Sequence, residues 1–431
     1  MDRQDKVCSR RKFVKIAGGI VVGVSGLYIF LPELSFLSQK TVRLAKAAIV
    51  GRYLPMGDTD PYICQIITRD SMDSRTIMWQ SEQEEQEAVL EYRVRGAEIP
   101  ESSQAINEKF TDDNVTVYLH TSVLTGLQPA THYEYRIGCG KKRSDWHDFT
   151  TAGTDSFKAL IFPDSQSSDY IDWKNLAQFA YRVNPDAAFF INMGDLVDNG
   201  EDHTQWQAWF SALNGIIDTI PVVPVMGNHE TYTKDWKVRM PEAYLHYFSL
   251  PENGDDMRKN QYYSFDYGDV HFIVLNTQID EMEAFQPGLL EEEQAWFKAD
   301  ITKTQKKWKI ILMHKDVLQY ANKKRPDRLA GISDIGRVFM PLFDKYNVDV
   351  VLTAHLHTYR RRERIYDFQP DTKGPLYIIT GVAGNVRYPN LWKDHLFDKV
   401  KAPQPETDNF MTLEASFDRL RLAAYLPNGD E

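Results

Sequence analysis

The first part of the chain alternates apolar and polar residues with a period of two. Runs of this kind lie at Ile63–Ile67, Thr76–Trp79, Ala88–Val94 and Val115–Leu119, and turn residues separate them. A period of two places successive side chains on opposite faces of a strand. Several such strands at regular spacing, without helical periodicity, are typical of a β-sandwich. The pattern therefore predicts an all-β sandwich over residues 60–152.

After Thr151 the pattern changes to short apolar runs that alternate with helical stretches. The helical stretches are Asp172–Arg182, Glu291–Lys303 and Ile335–Tyr346. Apolar runs without alternation fit strands that are buried on both faces. We therefore expect an α/β domain over residues 155–431. Its predicted strands are Phe157–Phe162, Ala187–Asn192, Pro221–Val225, Val270–Leu275, Lys309–Met313, Val348–Leu352 and Leu376–Thr380.

Residues 1–47 have the composition of an export signal. Arg10 and Arg11 precede an apolar run from Ile16 to Leu31, and Ala45-Lys46-Ala47 is a candidate cleavage site. The run has 16 residues, fewer than the roughly 20 that span a bilayer, so we expect no stable membrane span after processing. The segment resembles a bacterial twin-arginine signal. That resemblance implies the export machinery for folded proteins as a partner, and a periplasmic or secreted location.

Charge is distributed unevenly along the chain. The 50 Lys and Arg residues and the 61 Asp and Glu residues give a net charge of −11. Residues 1–47 hold nine basic and three acidic side chains, so the remainder carries −17. A body this acidic repels a phosphate backbone, and we expect no nucleic-acid partner. The basic run Arg360-Arg361-Arg362 is predicted to be a solvated strand exit.

The chain has three cysteines, Cys8, Cys64 and Cys139. They are too few and too scattered for a disulfide scaffold or a thiolate metal site. A disulfide between Cys64 and Cys139 stays open, because a sequence does not show whether two Cα atoms approach closely enough.

Five of the predicted strands of the α/β domain are followed by residues of metal-ligand type. The carboxyl ends of neighbouring strands meet in one crevice, where α/β sheets build their sites. Glycine before two of these residues allows a sharp turn that presents a short side chain outward. We therefore expect the side chains to converge. They are Asp164, Asp195, Asn228 with His229, His314, and His355 with His357.

These residues stand in blocks that resemble the calcineurin-like metallophosphoesterase superfamily. The blocks occur in the family's order between residues 157 and 384, and the layout with a preceding β-domain resembles purple acid phosphatases, whose N-terminal domain is fibronectin type III-like. The implied fold is a sandwich of two β-sheets flanked by helices. The blocks are Pro163-Asp164-Ser165-Gln166, Gly194-Asp195-Leu196-Val197-Asp198, Gly227-Asn228-His229-Glu230, Met313-His314 and Ala354-His355-Leu356-His357.

The resemblance implies a centre of two metal ions, with Fe, Mn or Zn as candidates because the ligands are oxygen and imidazole groups. Asp195 would bridge the two ions. Asp164 and His357 would complete the first site, and the second would be completed by Asn228, His314 and His355. His229 is not a ligand in the family. It would donate a proton to the leaving oxygen or stabilise charge on the phosphoryl group.

Two candidate site residues depart from the family pattern. Asp198 stands where purple acid phosphatases have a tyrosine, and it is a candidate partner that orients His229. A solvated turn carboxylate and a direct metal ligand are the alternatives for Asp198. Gln166 stands where many members have His, and it is either a ligand of the first metal or a hydrogen-bond donor beside it. Glu230 is expected to anchor its own loop.

The sequence thus predicts an exported dimetal phosphoesterase that hydrolyses small phosphate monoesters, as acid phosphatases do. A phosphodiesterase or nucleotide hydrolase is the alternative within the same chemistry, because substrate selectivity is determined by loops that contain no recognisable motif. A binding module with an inactive hydrolase domain is the alternative from another class.

Overall fold

A computed structural model describes residues 62–84, 87–154, 156–254, 256–403 and 405–431. The export signal predicted for residues 1–47 lies outside the described residues. Among the helices in the described ranges, none combines the length and the apolar character that crossing a membrane requires.

The N-terminal part forms two β-layers that pack face to face. One layer has the order β1-β2-β6-β5 and the other β4-β3-β7-β8, with β9 also paired to β7. Along β7 the buried side chains are Tyr133, Tyr135 and Ile137, which confirms the predicted period of two. The Tyr133 hydroxyl accepts a hydrogen bond from the Gln128 N–H at 2.9 Å, the contact of a tyrosine corner. The strands are β1 (Ile63–Ile66), β2 (Arg75–Ser81), β3 (Ala88–Val94), β4 (Glu101–Gln104), β5 (Ile106–Asp112), β6 (Val115–Leu124), β7 (His132–Cys139), β8 (Lys142–Arg143) and β9 (His147–Thr150).

The C-terminal part contains strands at all seven predicted positions. In the described residues, six α-helices lie between or beside them: α1 (Ile171–Val183), α2 (His203–Ala212), α3 (Glu242–Tyr247), α4 (Ile279–Met282), α5 (Leu289–Ile301) and α6 (Asp334–Lys345). The strands are β10 (Phe157–Phe162), β11 (Phe189–Asn192), β12 (Val222–Pro224), β13 (Tyr263–Tyr267), β14 (Val270–Leu275), β15 (Trp308–Met313), β16 (Leu318–Gln319), β17 (Gly331–Ile332), β18 (Val350–Thr353), β19 (Thr358–Tyr366), β20 (Gln369–Pro370), β21 (Leu376–Gly381), β22 (Asp398–Lys401), β23 (Phe410–Ala415) and β24 (Leu420–Tyr425).

Two sheets of the C-terminal part pack against each other and are covered by helices, as the resemblance implied. One contains the order β24-β23-β10-β11-β12, and the other β13-β14-β15-β18-β21-β19-β20. Between the sheets, the ring of Phe189 lies 5.7 Å from that of Phe272. On the outer face of the first sheet, Phe162 contacts Trp173 of α1 at 5.1 Å. This layering confirms the predicted α/β sandwich preceded by a β-domain.

One sheet runs through both parts of the chain, which the sequence did not indicate. β1 pairs with β12 in parallel, with Ile66 opposite Val222, so β1, β2, β6 and β5 extend the first sheet of the C-terminal part, which has nine strands in the described ranges. The buried Tyr135 donates a hydrogen bond to the Asp218 carbonyl at 2.7 Å beside this junction. The division into domains near residue 152 stays a prediction, and the two parts share backbone pairing across it.

The arginine run of β19 is not the solvated strand exit that the sequence suggested. Arg360 and Arg362 are buried, and only Arg361 between them faces solvent. The two buried guanidinium groups pair with Asp398 and Asp316, respectively. A buried charge needs such a partner because transfer of a charged group out of water costs free energy. The two-residue period of β19 therefore predicts which arginines are buried better than the run of charges does. Cys64 and Cys139 are both free thiols.

Candidate metal centre

The predicted site residues follow strands whose carboxyl ends meet at one edge of the sandwich. β10, β11 and β12 are parallel neighbours in the first sheet, and β14, β15 and β18 in the second. Asp164 comes two residues after β10, and His314 directly follows β15. The isolated bridge between Asp164 and Val382, just beyond β21, joins the two sheets at this edge.

Two groups of potential metal ligands overlap at Asp195. The first contains Asp164, Asp195 and His357, and the second contains Asp195, His314 and His355. Within each group, one ligand atom per residue lies within 4.8 Å of the others. The structure therefore brings together five residues that stand 193 positions apart at their extremes (164 to 357), with the shared carboxylate that the resemblance implied for the bridge.

Asn228 lies beside the second group. Its Oδ1 atom is 3.2 Å from Nε2 of His314, and that nitrogen is 3.1 Å from Oδ2 of Asp195. An amide oxygen, a carboxylate oxygen and an imidazole nitrogen thus face one another, as ligands of one ion would.

Gln166 lies beside the first group. Its Nε2 atom is 3.0 Å from Nε2 of His357, while its Oε1 atom is buried and has no hydrogen-bond partner among the described residues. Both readings of Gln166, as a ligand through Oε1 and as a donor beside the site, are compatible with this placement.

The ring nitrogens of the histidines are arranged as in metal sites. His314 Nδ1 donates to the Met193 carbonyl at 2.9 Å, and His357 Nδ1 donates to the Val386 carbonyl at 2.6 Å. Each contact leaves Nε2 as the atom with a free electron pair. The Nδ1 atom of His355 is buried without a hydrogen-bond partner in the described ranges. A cation would satisfy this orphaned nitrogen, so the residues fit a dimetal centre.

Electrostatics also favour cations here. Asp164 and Asp195 are both buried, at 0% and 1% exposure. Burial raises the pKa of Asp164 well above its usual value, and the charge of Asp195 adds to the effect. Burial lowers the pKa of His357 to about 4, which keeps this imidazole neutral and able to bind metal. Positive charge placed between the carboxylates would relieve their repulsion.

Local backbone conformation positions these side chains. Asp195, His355 and His357 all have positive φ, at 50°, 68° and 50°, a region that non-glycine residues rarely adopt. Such strain persists only where the surrounding structure holds it, and it clusters at functional sites. Gly227 is required for a different reason, because a Cβ atom there would lie 2.2 Å from the backbone nitrogen and Oδ1 of Asp195.

His229 faces the same centre without belonging to either ligand group. Its backbone N–H donates to Oδ1 of Asp195 at 2.9 Å, and its Nε2 lies 3.9 Å from Oδ2 of that carboxylate. Its Nδ1 is 2.8 Å from the main-chain carbonyl of Asp198 and 3.5 Å from the Asp198 carboxylate. Asp198 therefore does contact His229, but the shorter contact comes from its backbone rather than from its side chain.

Glu230 does more than anchor its own loop. Its carboxylate accepts hydrogen bonds from Gly227 N–H at 2.7 Å and from Asp195 N–H at 3.0 Å. It also accepts from the N–H groups of Leu196 at 2.8 Å and Val197 at 3.3 Å. One buried side chain therefore ties the loop of Asp195 to the loop that carries Asn228.

Sequence reasoning missed the polar support beneath Asp164. Ser165 donates to Oδ1 of Asn192 at 2.9 Å, and the indole N–H of Trp209 donates to Ser165 Oγ at 3.1 Å. Asn192 Nδ2 in turn donates to the Pro163 carbonyl at 2.8 Å. The sequence feature that could have indicated this support is Asn192, a polar residue at the end of an otherwise apolar strand.

Comparisons with known proteins agree with this geometry. The profile of the calcineurin-like phosphoesterase family matches residues 144–359, and that of the purple acid phosphatase N-terminal domain matches residues 64–151. Purple acid phosphatase 23 of Arabidopsis thaliana is 24% identical over 304 residues, which cover 62% of this chain and 63% of that protein. Acid phosphatase type 7 of Mus musculus is 25% identical over 352 residues, covering 68% and 73%. The chain thus spans somewhat less than two thirds of the Arabidopsis protein.

Solved structures share the fold. Purple acid phosphatase PPD1 from yellow lupin (Lupinus luteus) seeds superimposes with a TM-score of 0.72 at 19% identity, covering 86% of this chain and 72% of that one. PhoD superimposes with a TM-score of 0.59 at 13% identity, covering 87% and 92%. The profile match spans half of the chain and includes Asp164, Asp195, His314 and His357. The chain belongs to the calcineurin-like phosphoesterase family.

Proposed function

We propose that this protein is a dimetal phosphoesterase that hydrolyses small phosphate monoesters. The observation that carries the proposal is the pair of ligand groups that overlap at Asp195, with His229 facing the same centre. Preference for monoesters rests on the relatives, which are named purple acid phosphatases or acid phosphatases.

Two metal ions, when bound, supply Lewis-acid charge to the phosphoryl group and lower the pKa of a nucleophilic water. Asp164 and His357 would hold the first ion, and Asn228, His314 and His355 the second, with Asp195 between them. Glu230 fixes the two loops on which Asp195 and Asn228 stand, so the ligands are oriented before a substrate arrives.

His229 is placed to serve the leaving group. Its Nδ1 atom faces the Asp198 carbonyl oxygen, which accepts a hydrogen bond from the protonated Nδ1. This contact directs Nε2 towards the centre, where a protonated Nε2 can donate to the oxygen of the departing alcohol. The Asp198 carboxylate lies 3.5 Å from the same ring nitrogen.

Turnover of p-nitrophenyl phosphate and of its bis ester by protein loaded with Mn, Zn or Fe tests the proposal. We expect turnover of the monoester, loss of activity and of bound metal in Asp195→Asn, and normal behaviour in Asp235→Asn, which changes an exposed carboxylate on a neighbouring loop. Faster turnover of the bis ester would favour a phosphodiesterase. Absence of both turnover and bound metal in the folded protein would favour an inactive binding module.

His229→Gln separates the proton donor from the ligands. We expect metal content to stay as in the unchanged protein while kcat falls about 10²–10⁴-fold, the usual contribution of general acid–base catalysis. Loss of metal in this variant would instead make His229 a ligand.

The export signal predicted for residues 1–47 supports our proposal of a periplasmic or secreted location, reached through machinery that carries folded proteins. Cell fractionation and mass spectrometry of the mature N-terminus test this part. An N-terminus near residue 48 is expected, and a cytoplasmic protein that retains Met1 would contradict it.

A further inference from the structure

A solvent-accessible cavity of about 350 Å³ has Trp392 in its wall. The other lining residues are Lys323, Arg360, Asn390, Lys393, Asp394 and Lys401. The indole N–H of Trp392 donates to the Leu356 carbonyl at 2.8 Å. Leu356 stands between the two predicted ligands His355 and His357, so this wall of the cavity is fixed directly to the metal-binding loop.

Positive charge dominates the lining of this cavity, which we call the basic pocket. It contains Lys323, Arg360, Lys393 and Lys401 against one carboxylate, Asp394. Asp394 is already paired with Lys401 and with Arg360, the latter at 3.3 Å. In the described part of the chain no acidic side chain lies within ion-pair distance of the Lys323 or Lys393 ammonium group. Arg360 is also paired with Asp398, at 2.6 Å, so the pocket holds an excess of about two positive charges, those of Lys323 and Lys393, in a chain whose net charge is −11.

A buried donor in the same wall also lacks a partner. Arg360 is 2% exposed, and its Nε–H makes no hydrogen bond to any described residue. Leaving a buried guanidinium N–H unpaired costs free energy, and an anion or a bound water would satisfy it.

The neighbouring segment adds to the positive potential. Arg328 lies over the Trp392 ring at 5.4 Å. Burial lowers the pKa of Arg328, and the nearby charge of Arg325 lowers it further. Like charges crowded beside a concave surface are typical of anion-binding sites, because the low-dielectric wall focuses their field.

We propose that the basic pocket binds a second anionic group of the substrate, so that the enzyme prefers phosphate esters whose leaving group carries another phosphate. The proposed substrate preference rests on the proposed phosphoesterase activity. The scissile phosphate would lie at the metal centre, and the remote phosphate would contact Lys323, Lys393 and the Arg360 guanidinium edge.

A pair of linear substrates that differ in one group tests the proposal. We would compare kcat/KM for 1,6-hexanediol bisphosphate and 1,6-hexanediol monophosphate, with the two-, four- and eight-carbon homologues to vary the reach. Two equivalent ends give the bisphosphate a statistical factor of two. Beyond that factor we expect a preference of about tenfold from charge-assisted hydrogen bonds, declining as salt screens the lysines.

The double variant Lys323→Ala/Lys393→Ala should reduce the preference to the statistical factor and leave monophosphate turnover unchanged. The matched control is Lys298→Ala/Lys303→Ala, which removes two exposed lysines of α5 and its C-terminal turn. A wild-type preference no greater than twofold at every chain length, or a preference that survives the double variant, would overturn the proposal.

A binding measurement keeps this test separate from catalysis. Calorimetric titration with hexane-1,6-diphosphonate and with hexylphosphonate, neither of which is hydrolysed, should show the same preference and the same loss in the double variant. Loss of turnover together with intact diphosphonate preference would count against the proposed function alone. Equal affinity for the two phosphonates alongside normal monoester turnover would count against the basic pocket alone.

Discussion

The Glu230 carboxylate is the most sensitive point of the site, and Glu230→Gln tests it. Each carboxylate oxygen accepts two backbone N–H groups, from Gly227 and Asp195 on one side and from Leu196 and Val197 on the other. A glutamine has one acceptor oxygen and one NH₂ group. Whichever way the amide turns, two backbone donors lose their acceptor and face another donor.

The magnitude follows from this count. A buried donor without a partner costs about 1–3 kcal/mol, so two of them lower the free energy of unfolding by about 2–6 kcal/mol. Displacement of the two loops also moves Asp195 and Asn228, so bound metal should fall. Burial and the charge of Asp195 raise the pKa of Glu230 to about 7, so the comparison belongs at about pH 8, where the carboxylate is ionised.

Glu293→Gln is the matched control, because this buried carboxyl has a different environment. It accepts one hydrogen bond, from Asn276 N–H at 2.6 Å, and burial raises its pKa well above the usual value. Its neutral acid form resembles the amide in shape and charge. The unchanged protein loses stability as pH rises above the unfolded-state pKa of this carboxyl, because the folded state keeps it protonated, and the glutamine variant has no such loss. We therefore expect Glu293→Gln to be at least as stable as the unchanged protein at neutral pH and above.

Differential scanning calorimetry and elemental analysis of both variants measure these effects. Glu230→Gln should melt at a clearly lower temperature than the unchanged protein and retain less metal, whereas Glu293→Gln should melt at no lower temperature and retain the same amount of metal. Equal melting temperatures and metal contents for the two variants would show that the four hydrogen bonds do not organise the loops.

Three further predictions concern other parts of the molecule. Gly227→Ala should abolish metal retention and phosphatase activity, because the new Cβ would overlap Asp195, and elemental analysis measures it. Tyr133→Phe should lower the free energy of unfolding by about 1 kcal/mol in calorimetry, because one backbone N–H loses its acceptor. Asp266 and Asp300 overcome burial and raise the pKa of His271, so its pairing stabilises the fold below pH 6.5 and this contribution is lost as pH rises through the folded-state pKa. Melting curves across pH should therefore show a steeper decline than in His271→Asn.

Each of these predictions has an outcome that contradicts it. Full metal content in Gly227→Ala would mean that the loop shifts without disturbing its ligands. An unchanged melting temperature in Tyr133→Phe would mean that water replaces the hydroxyl. If the melting temperatures of the unchanged protein and of His271→Asn changed with pH in parallel, the pH dependence would not come from His271.

Element type and order were predictable because the responsible patterns are local. The hairpin of β13 and β14 turns at Gly268-Asp269, and apolar runs such as Phe157–Phe162 are strands in the structure. Helix α2 was not predicted, because its buried residues Trp206, Ala208, Trp209 and Phe210 stand too close together along the chain to show a clear helical period. Without such a period, a helix lacks the signal that amphipathic helices provide.

The candidate metal ligands were also predictable, because each stands in a short block at the end of a strand. Their grouping around Asp195 then follows from parallel strands that end at one edge of the sandwich. The contact between Asp198 and His229 was predictable from the motif, but a sequence motif does not show that the backbone carbonyl of Asp198 lies closer to the imidazole than its carboxylate does.

By itself, the sequence determined the two-part architecture, the family and the residues that can hold two ions, since all of these depend on neighbouring positions. Only the tertiary structure decided that β1 continues the first sheet of the C-terminal part, that Arg360 and Arg362 are buried, and that Glu230 ties two loops together. Those features are contacts between segments far apart in the chain. They form because buried polar and charged groups must find partners wherever the fold places them, and no local pattern records which partner that is.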